Sequence, residues 1–241
     1  MLRRKYSALS DESQGGFTLV EMVAVVGILS MVLAMVMGMM IAITKTVGAN
    51  QARVDQSQQG KVAAESMSKS LRTAVLPKLL SATCSGCDVS AFISGDVRNV
   101  QFFANLNNDY TVAPTGTTTN GPSKVTYTID SAGVLSETIR RPNPHAATDF
   151  NYQYTCVAGV GGCVVTSRVI ARGVSTTQPL FTYYDRNQVQ LATPLAGDNL
   201  ASVDSVDITL NVRASAQVPP ANIVTRVALP NAGVVPEASA S

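Results

Sequence analysis

From Phe17 to Ile43 the chain is apolar with one charged position, Glu21. Beyond residue 44 the pattern changes to helical spacing and then to short alternating runs. As a helix rising about 1.5 Å per residue, the apolar run reaches about 40 Å, more than the roughly 30 Å hydrocarbon core of a bilayer. Past it, Val47, Val54, Ala63, Met67, Leu71 and Ala74 recur at intervals compatible with one helix face, while Lys61, Glu65 and Lys69 lie four apart on another. The spacing predicts a transmembrane helix over 17–43 and an amphipathic continuation over 44–76, stopped by Pro77. The Gln-rich stretch from Gln56 to Gly60 weakens the stripe and is the expected place for a bend. Gly27, Gly38 and Gly48 are candidates for close helix contact or local melting, or are ordinary membrane-helix glycines.

After Pro77 the periodicity shortens towards two. "KVTYTID", then Ser-Ala-Gly, then "VLSETIRR" reads as a β-hairpin with Val125, Tyr127 and Ile129 on one face. Further strand candidates are "VQFFANL", "FNYQYTC", "PLFTYYD", "SVDITLNVRA" and "IVTRVAL". An amphipathic helix and a half-buried sheet must each cover an apolar face, so the expected class is α+β, with an antiparallel sheet against the outer half of the helix. The Gly/Thr-rich stretch from Pro114 to Pro122 reads as a surface loop and 231–241 as a flexible tail.

Charge fixes the expected orientation. Arg3, Arg4 and Lys5 precede the apolar run and a mixed segment follows it, so the positive-inside rule puts the N-terminus in the cytoplasm and the bulk of the chain outside. A cleaved secretory signal fits poorly, because its apolar region is shorter and its small-residue cleavage site follows that region. The chain has 241 residues, 46% hydrophobic and 14% charged, enough for one span and one ordinary domain. A formal net charge of +2 without extended basic runs gives no electrostatic ground for nucleic-acid binding. Glu21 stands out against this background. A charge at mid-membrane costs about 2.5–3.5 kcal/mol, and the helix offers no Lys or Arg before Lys45, so its partner must come from elsewhere.

Cys84 and Cys87 form C-x₂-C, and Cys156 and Cys163 flank a glycine-rich loop. In an exported domain the reading favours two local disulfides; crossed pairs, a structural zinc or free thiols are the alternatives. His145 sits in a loop-like setting with no ligand cluster at metal spacing. Asp130, Asp149, Asp185, Asp204 and Asp207 include no D-x-D-x-D-G calcium loop, so no metal is assigned. No nucleophile–base order or phosphate-binding glycine loop is present, and the expectation is a non-enzymatic chain without cofactor.

A short basic leader ending in glycine, then Phe17, Thr18, Leu19, Val20 and Glu21 and a long apolar helix, resembles the class III signal of type IV pilins and type II secretion pseudopilins. The resemblance implies cleavage between Gly16 and Phe17 by a prepilin peptidase, N-methylation of Phe17, and pairing of Glu21 with the freed amine of an adjacent subunit during filament assembly. It also implies other pilins or pseudopilins, an inner-membrane assembly platform and membrane lipid as partners. The domain organisation expected is a leader over 1–16, a filament-core helix over 17–43, its continuation over 44–76, an exported pilin-like domain over 77–230, and the tail. The stretch from "SRVIARGVSTTQPLFTYYDRN" to the last strand resembles the J-type pseudopilin and W-type minor pilin branch, which implies a low-copy subunit. The competing expectation is a membrane-tethered adhesin or binding module that never polymerises and needs no Gly16–Phe17–Glu21 constellation.

Overall fold

The computed structural model describes residues 16–80, 90–106, 112–113, 116–155, 157–213 and 218–232. The chain divides into two units, Met1–Gly48 and Ala49–Ser241, and helix α1 (Leu19–Arg72) contributes to both. In the first unit residues 16–48 are all exposed, including Leu19, Ile28 and Met39, each at least 67% accessible. A helix apolar on every side needs an apolar surround, and this is one helix long and apolar enough to cross a membrane by length and composition.

In the second unit α1 becomes amphipathic. Ala63, Ala64, Met67 and Leu71 are buried, whereas Val47 and Val54, expected on the same face, are 61% and 48% exposed. The stripe therefore starts later than its spacing implied, because the first helix residues to be covered are Gln56 and Gly60. Nor does the helix break there. Gln56 is buried, with its Nε2 donating to the Pro219 carbonyl at 2.7 Å, and at Gly60 the absence of a side chain leaves room for Ile223 and Val212. The glycines at 27, 38 and 48 are likewise continuous helix.

The helix ends at Arg72, before Pro77. Thr73 and Ala74 donate to Ser70 and Leu71, closing three-residue turns, and the chain then pairs with a strand: Ala74 bridges Ala104 and the Val75 amide donates to the Phe103 carbonyl. Pro77 opens the short helix α2 (Pro77–Leu80), a position where its missing N–H costs nothing.

The strands among the described residues are β1 (Phe92–Gly95), β2 (Asn99–Ala104), β3 (Thr117–Thr118), β4 (Ser123–Ile129), β5 (Leu135–Arg140), β6 (His145–Ala146), β7 (Val165–Ala171), β8 (Phe181–Tyr184), β9 (Ser205–Val212) and β10 (Ala221–Ala228), with a short helix α3 (Asp198–Ser202) before β9. Every pairing is antiparallel: β1-β2-β4-β5-β7, β10-β9-β8 and the small pair β3-β6. The class is α+β. The expected hairpin is β4–β5, joined by a turn in which Asp130 Oδ1 accepts from the Ala132 and Val134 amides. Within it Val125 and Tyr127 are buried and Ile129 packs at the core margin.

Two local expectations fail. "FNYQYTC" is not a strand over residues 150–155; the segment is tied irregularly instead, the Tyr154 hydroxyl to the Pro122 carbonyl at 2.5 Å and the Asn143 amide to the Gln153 carbonyl at 2.7 Å. The stretch between Pro114 and Pro122 contains β3, with Thr118 buried.

The core joins α1 to both larger sheets. Met67 and Leu71 belong to one cluster with Phe92, Phe102 and Tyr127 of the first sheet and Phe181, Ile208 and Leu210 of the second. Phe92 contacts the Phe102 and Tyr183 rings, with the latter edge-on at 6.1 Å. The β1–β2 turn couples the sheets, since the Val97 carbonyl accepts from both the Leu180 and Phe181 amides.

Candidate processing and assembly segment

The residues singled out at the N-terminus occupy a helix boundary. Gly16, Phe17 and Thr18 are non-helical and exposed, Phe17 at 78%, and the first helical residue is Leu19. Thr18 is the cap. Its Oγ1 accepts from the Glu21 amide at 3.3 Å, and its carbonyl accepts from the amides of Glu21 and Met22 at 3.0 and 3.2 Å. A helix start leaves its first amides without intrahelical partners, and Thr at this position satisfies one of them.

Glu21 falls in the first turn, where a carboxylate opposes the positive end of the helix dipole. The spacing Thr-x-x-Glu from Thr18 to Glu21 is that of a capping box. Thr18 was noted in the sequence only as part of the Phe17–Glu21 motif, although this spacing is the signal that could have shown its capping role. Glu21 thus has two physical roles available at one position: it favours the helix start, and it is an exposed negative charge within five residues of the Gly16–Phe17 bond. No residue of the first unit is paired with it among the described residues.

A second polar arrangement ties α1 to the first sheet within the second unit. Glu137 on β5 is 1% exposed. Its Oε1 accepts from the Tyr127 hydroxyl at 2.5 Å and from Ser70 Oγ at 3.3 Å, and its Oε2 pairs with Arg168 Nε at 2.5 Å. Arg168 also donates from Nη2 to Ser66 Oγ at 2.9 Å. Glu137 and Arg168 together therefore link β4, β5, β7 and two turns of α1. Burial, and then the hydrogen bond to Glu137, push the Tyr127 phenol well above its ordinary range; the hydrogen bond to Glu137 raises the Arg168 guanidinium. This arrangement was not singled out from the sequence, although the alternation Leu135, Glu137, Ile139 puts a glutamate on the apolar face of β5, opposite Tyr127, and that misplaced charge is the signal that could have found it.

Cys163 is disulfide-bonded; Cys84, Cys87 and Cys156 lie outside the described residues, so the pairing is not assigned. His145 lies on β6, with Nδ1 2.8 Å from the Asn143 carbonyl oxygen and its ring edge-on to Tyr152. Asp207 is taken up by Arg226. No group of three or more His, Cys, Asp or Glu side chains able to hold a metal exists among the described residues.

No family model matches the chain, and neither does any curated protein or solved structure.

Proposed function

We propose that this chain is a minor pilin or pseudopilin, a structural subunit of a type IV pilus or type II secretion filament, cut after Gly16 and assembled through its N-terminal helix. The observation that carries the reading is the boundary itself. Gly16 and Phe17 form an exposed, non-helical stretch, open to a protease, immediately ahead of a capped helix that carries Glu21 in its first turn and stays apolar to Ile43. A membrane tether needs the apolar helix but neither the glycine nor the early carboxylate. Cleavage would free an ammonium on Phe17 four residues before Glu21, and a second copy or a related subunit supplies the complementary charge when helices stack. In this reading the N-terminus faces the cytoplasm before cleavage, the second unit is exported with a pilin-like role, and the partners are a prepilin peptidase, other pilins or pseudopilins and an inner-membrane assembly platform.

N-terminal mass spectrometry of the protein from its native membrane tests this. The expected chain starts at methylated Phe17. A chain starting at Met1, or after Ile43, overturns the proposal.

A further inference from the structure

Strand β10 is the outer strand of its sheet, hydrogen-bonded to β9 alone. The Leu229 amide donates to the Asp204 carbonyl, which sets the phase of the ladder: Val227, Thr225 and Ile223 exchange hydrogen bonds with Val206, Ile208 and Leu210. The amides and carbonyls of Asn222, Val224, Arg226 and Ala228 therefore point away from β9, and among the described residues they meet no backbone partner. This edge is eight residues long, with no Pro, Lys or bulge, the devices that ordinarily blunt an open edge. The sheet's opposite edge, β8, is only four residues long.

Beside β10 runs a groove of about 550 Å³ between the strand and α1, walled by Ile223 and Thr225 on one side and by Lys61, Ala64, Ser68 and Lys69 on the other. Its helix wall also carries Glu65 and Arg72, so three cations face one carboxylate, and none of the four is in an ion pair among the described residues. Ser68, 7% exposed, has a hydroxyl with no hydrogen-bond partner. The groove thus combines a flanking strand whose outer edge is unpaired with a helix wall that carries an excess of positive charge.

We infer that an extended, acidic segment of a partner protein adds to β10 as a further strand and fills this groove. Main-chain hydrogen bonds to Asn222, Val224, Arg226 and Ala228 would supply the docking, and carboxylates on the face turned to α1 would meet Lys61, Lys69 and Arg72. The inference does not rest on the filament reading, because every residue in it belongs to the second unit.

The test is amide exchange followed by NMR on the full chain in detergent micelles, with the synthetic peptide acetyl-Thr-Val-Asp-Val-Glu-Val-Thr-amide as probe. Without peptide, the amides of Asn222, Val224, Arg226 and Ala228 should exchange freely while those of Ile223, Thr225 and Val227 are protected. With it, the first set should become protected. The same peptide with Lys at both acidic positions should bind about ten-fold more weakly, as expected for several half-exposed charge pairs. Lys61→Glu/Lys69→Glu, which alters exposed side chains only, should reverse that preference. Val224→Pro, whose amide faces the open edge, should abolish protection with the fold kept. Overturning results are no protection by the acidic peptide, equal binding of the two peptides, or outward amides already protected. Protection of the last kind that falls on dilution would mean that a second copy covers the edge.

Discussion

Arg168→Ala isolates the role of the buried carboxylate. The substitution removes the 2.5 Å pair with Glu137 Oε2 and the 2.9 Å bond to Ser66 Oγ, and leaves a side chain that is 1% exposed holding its charge against Tyr127 and Ser70 alone. Removing one partner of a fully buried pair costs about 3–5 kcal/mol, whereas an exposed pair contributes at most about 1 kcal/mol. Arg168 is itself 55% exposed, so water can reach the vacated side and the expected loss lies between these limits, about 2 kcal/mol. Tyr127→Phe removes one hydrogen bond to a charged acceptor while retaining the ring in the core, and should cost about 1.5–3 kcal/mol. Glu137→Gln in the Arg168→Ala background removes the uncompensated charge while retaining an acceptor for Tyr127. The double variant should therefore be less destabilised than the two single losses added together. Urea unfolding of the full chain in micelles, read by tyrosine near-ultraviolet circular dichroism, measures the wild type, Tyr127→Phe, the single variants Arg168→Ala and Glu137→Gln, and their double variant. A loss below about 0.5 kcal/mol for Arg168→Ala, or strict additivity in the cycle, would refute the argument that this pair links β5 and β7 to the helix.

Gly60→Ala puts a Cβ against Ile223 Cδ1, the end of a flexible side chain beside the groove, so Ile223 should change rotamer and offset most of alanine's helix-propensity gain of about 1 kcal/mol; Ile223→Val in the same chain should expose that gain as a higher melting temperature than Ile223→Val alone. The hydrogen bonds from Arg226 hold the Asp207 carboxyl below its ordinary 3.8, so the pair's contribution is fully present above that pH and is lost as pH falls through the lower folded value. Asp207→Asn should accordingly flatten the acid limb of the stability curve below about pH 4, and an unchanged limb would exclude the linkage. Glu21→Gln should leave membrane insertion and cleavage intact while reducing recovery in sheared filaments, since an amine brought beside its neighbour's side chain loses the compensating charge. Thr18→Val removes the cap without touching that charge, and should loosen the first helical turn, by amide exchange, at a cost of about 1 kcal/mol.

The apolar helix and the β4–β5 hairpin were legible because each depends on neighbours in sequence. A continuous apolar run supports a helix whatever surrounds it, and alternation flanking Ser-Ala-Gly supports a tight reversal. The start of that helix depends on neighbours in the same way, since Thr18 caps it at capping-box spacing to Glu21. Spacing could not say where the amphipathic stripe begins or the helix ends. Val54 fits the stripe yet stays exposed because β10 and its neighbours cover the helix only from about Gln56 onward, and Arg72 is the last helical residue because Ala74 and Val75 are taken up by β2. "FNYQYTC" has strand composition, but residues 150–155 find side-chain and loop partners rather than a free strand edge. Glu137 is the sharpest case. Alternation with Leu135 and Ile139 puts it on the core-facing side of β5, and only the approach of α1 with Ser70, and of β7 with Arg168, itself held by Ser66, gives a buried carboxylate enough donors to stay there. Those partners stand 67 residues before it and 31 after it along the chain, a separation over which only the folded chain can bring them within hydrogen-bonding distance.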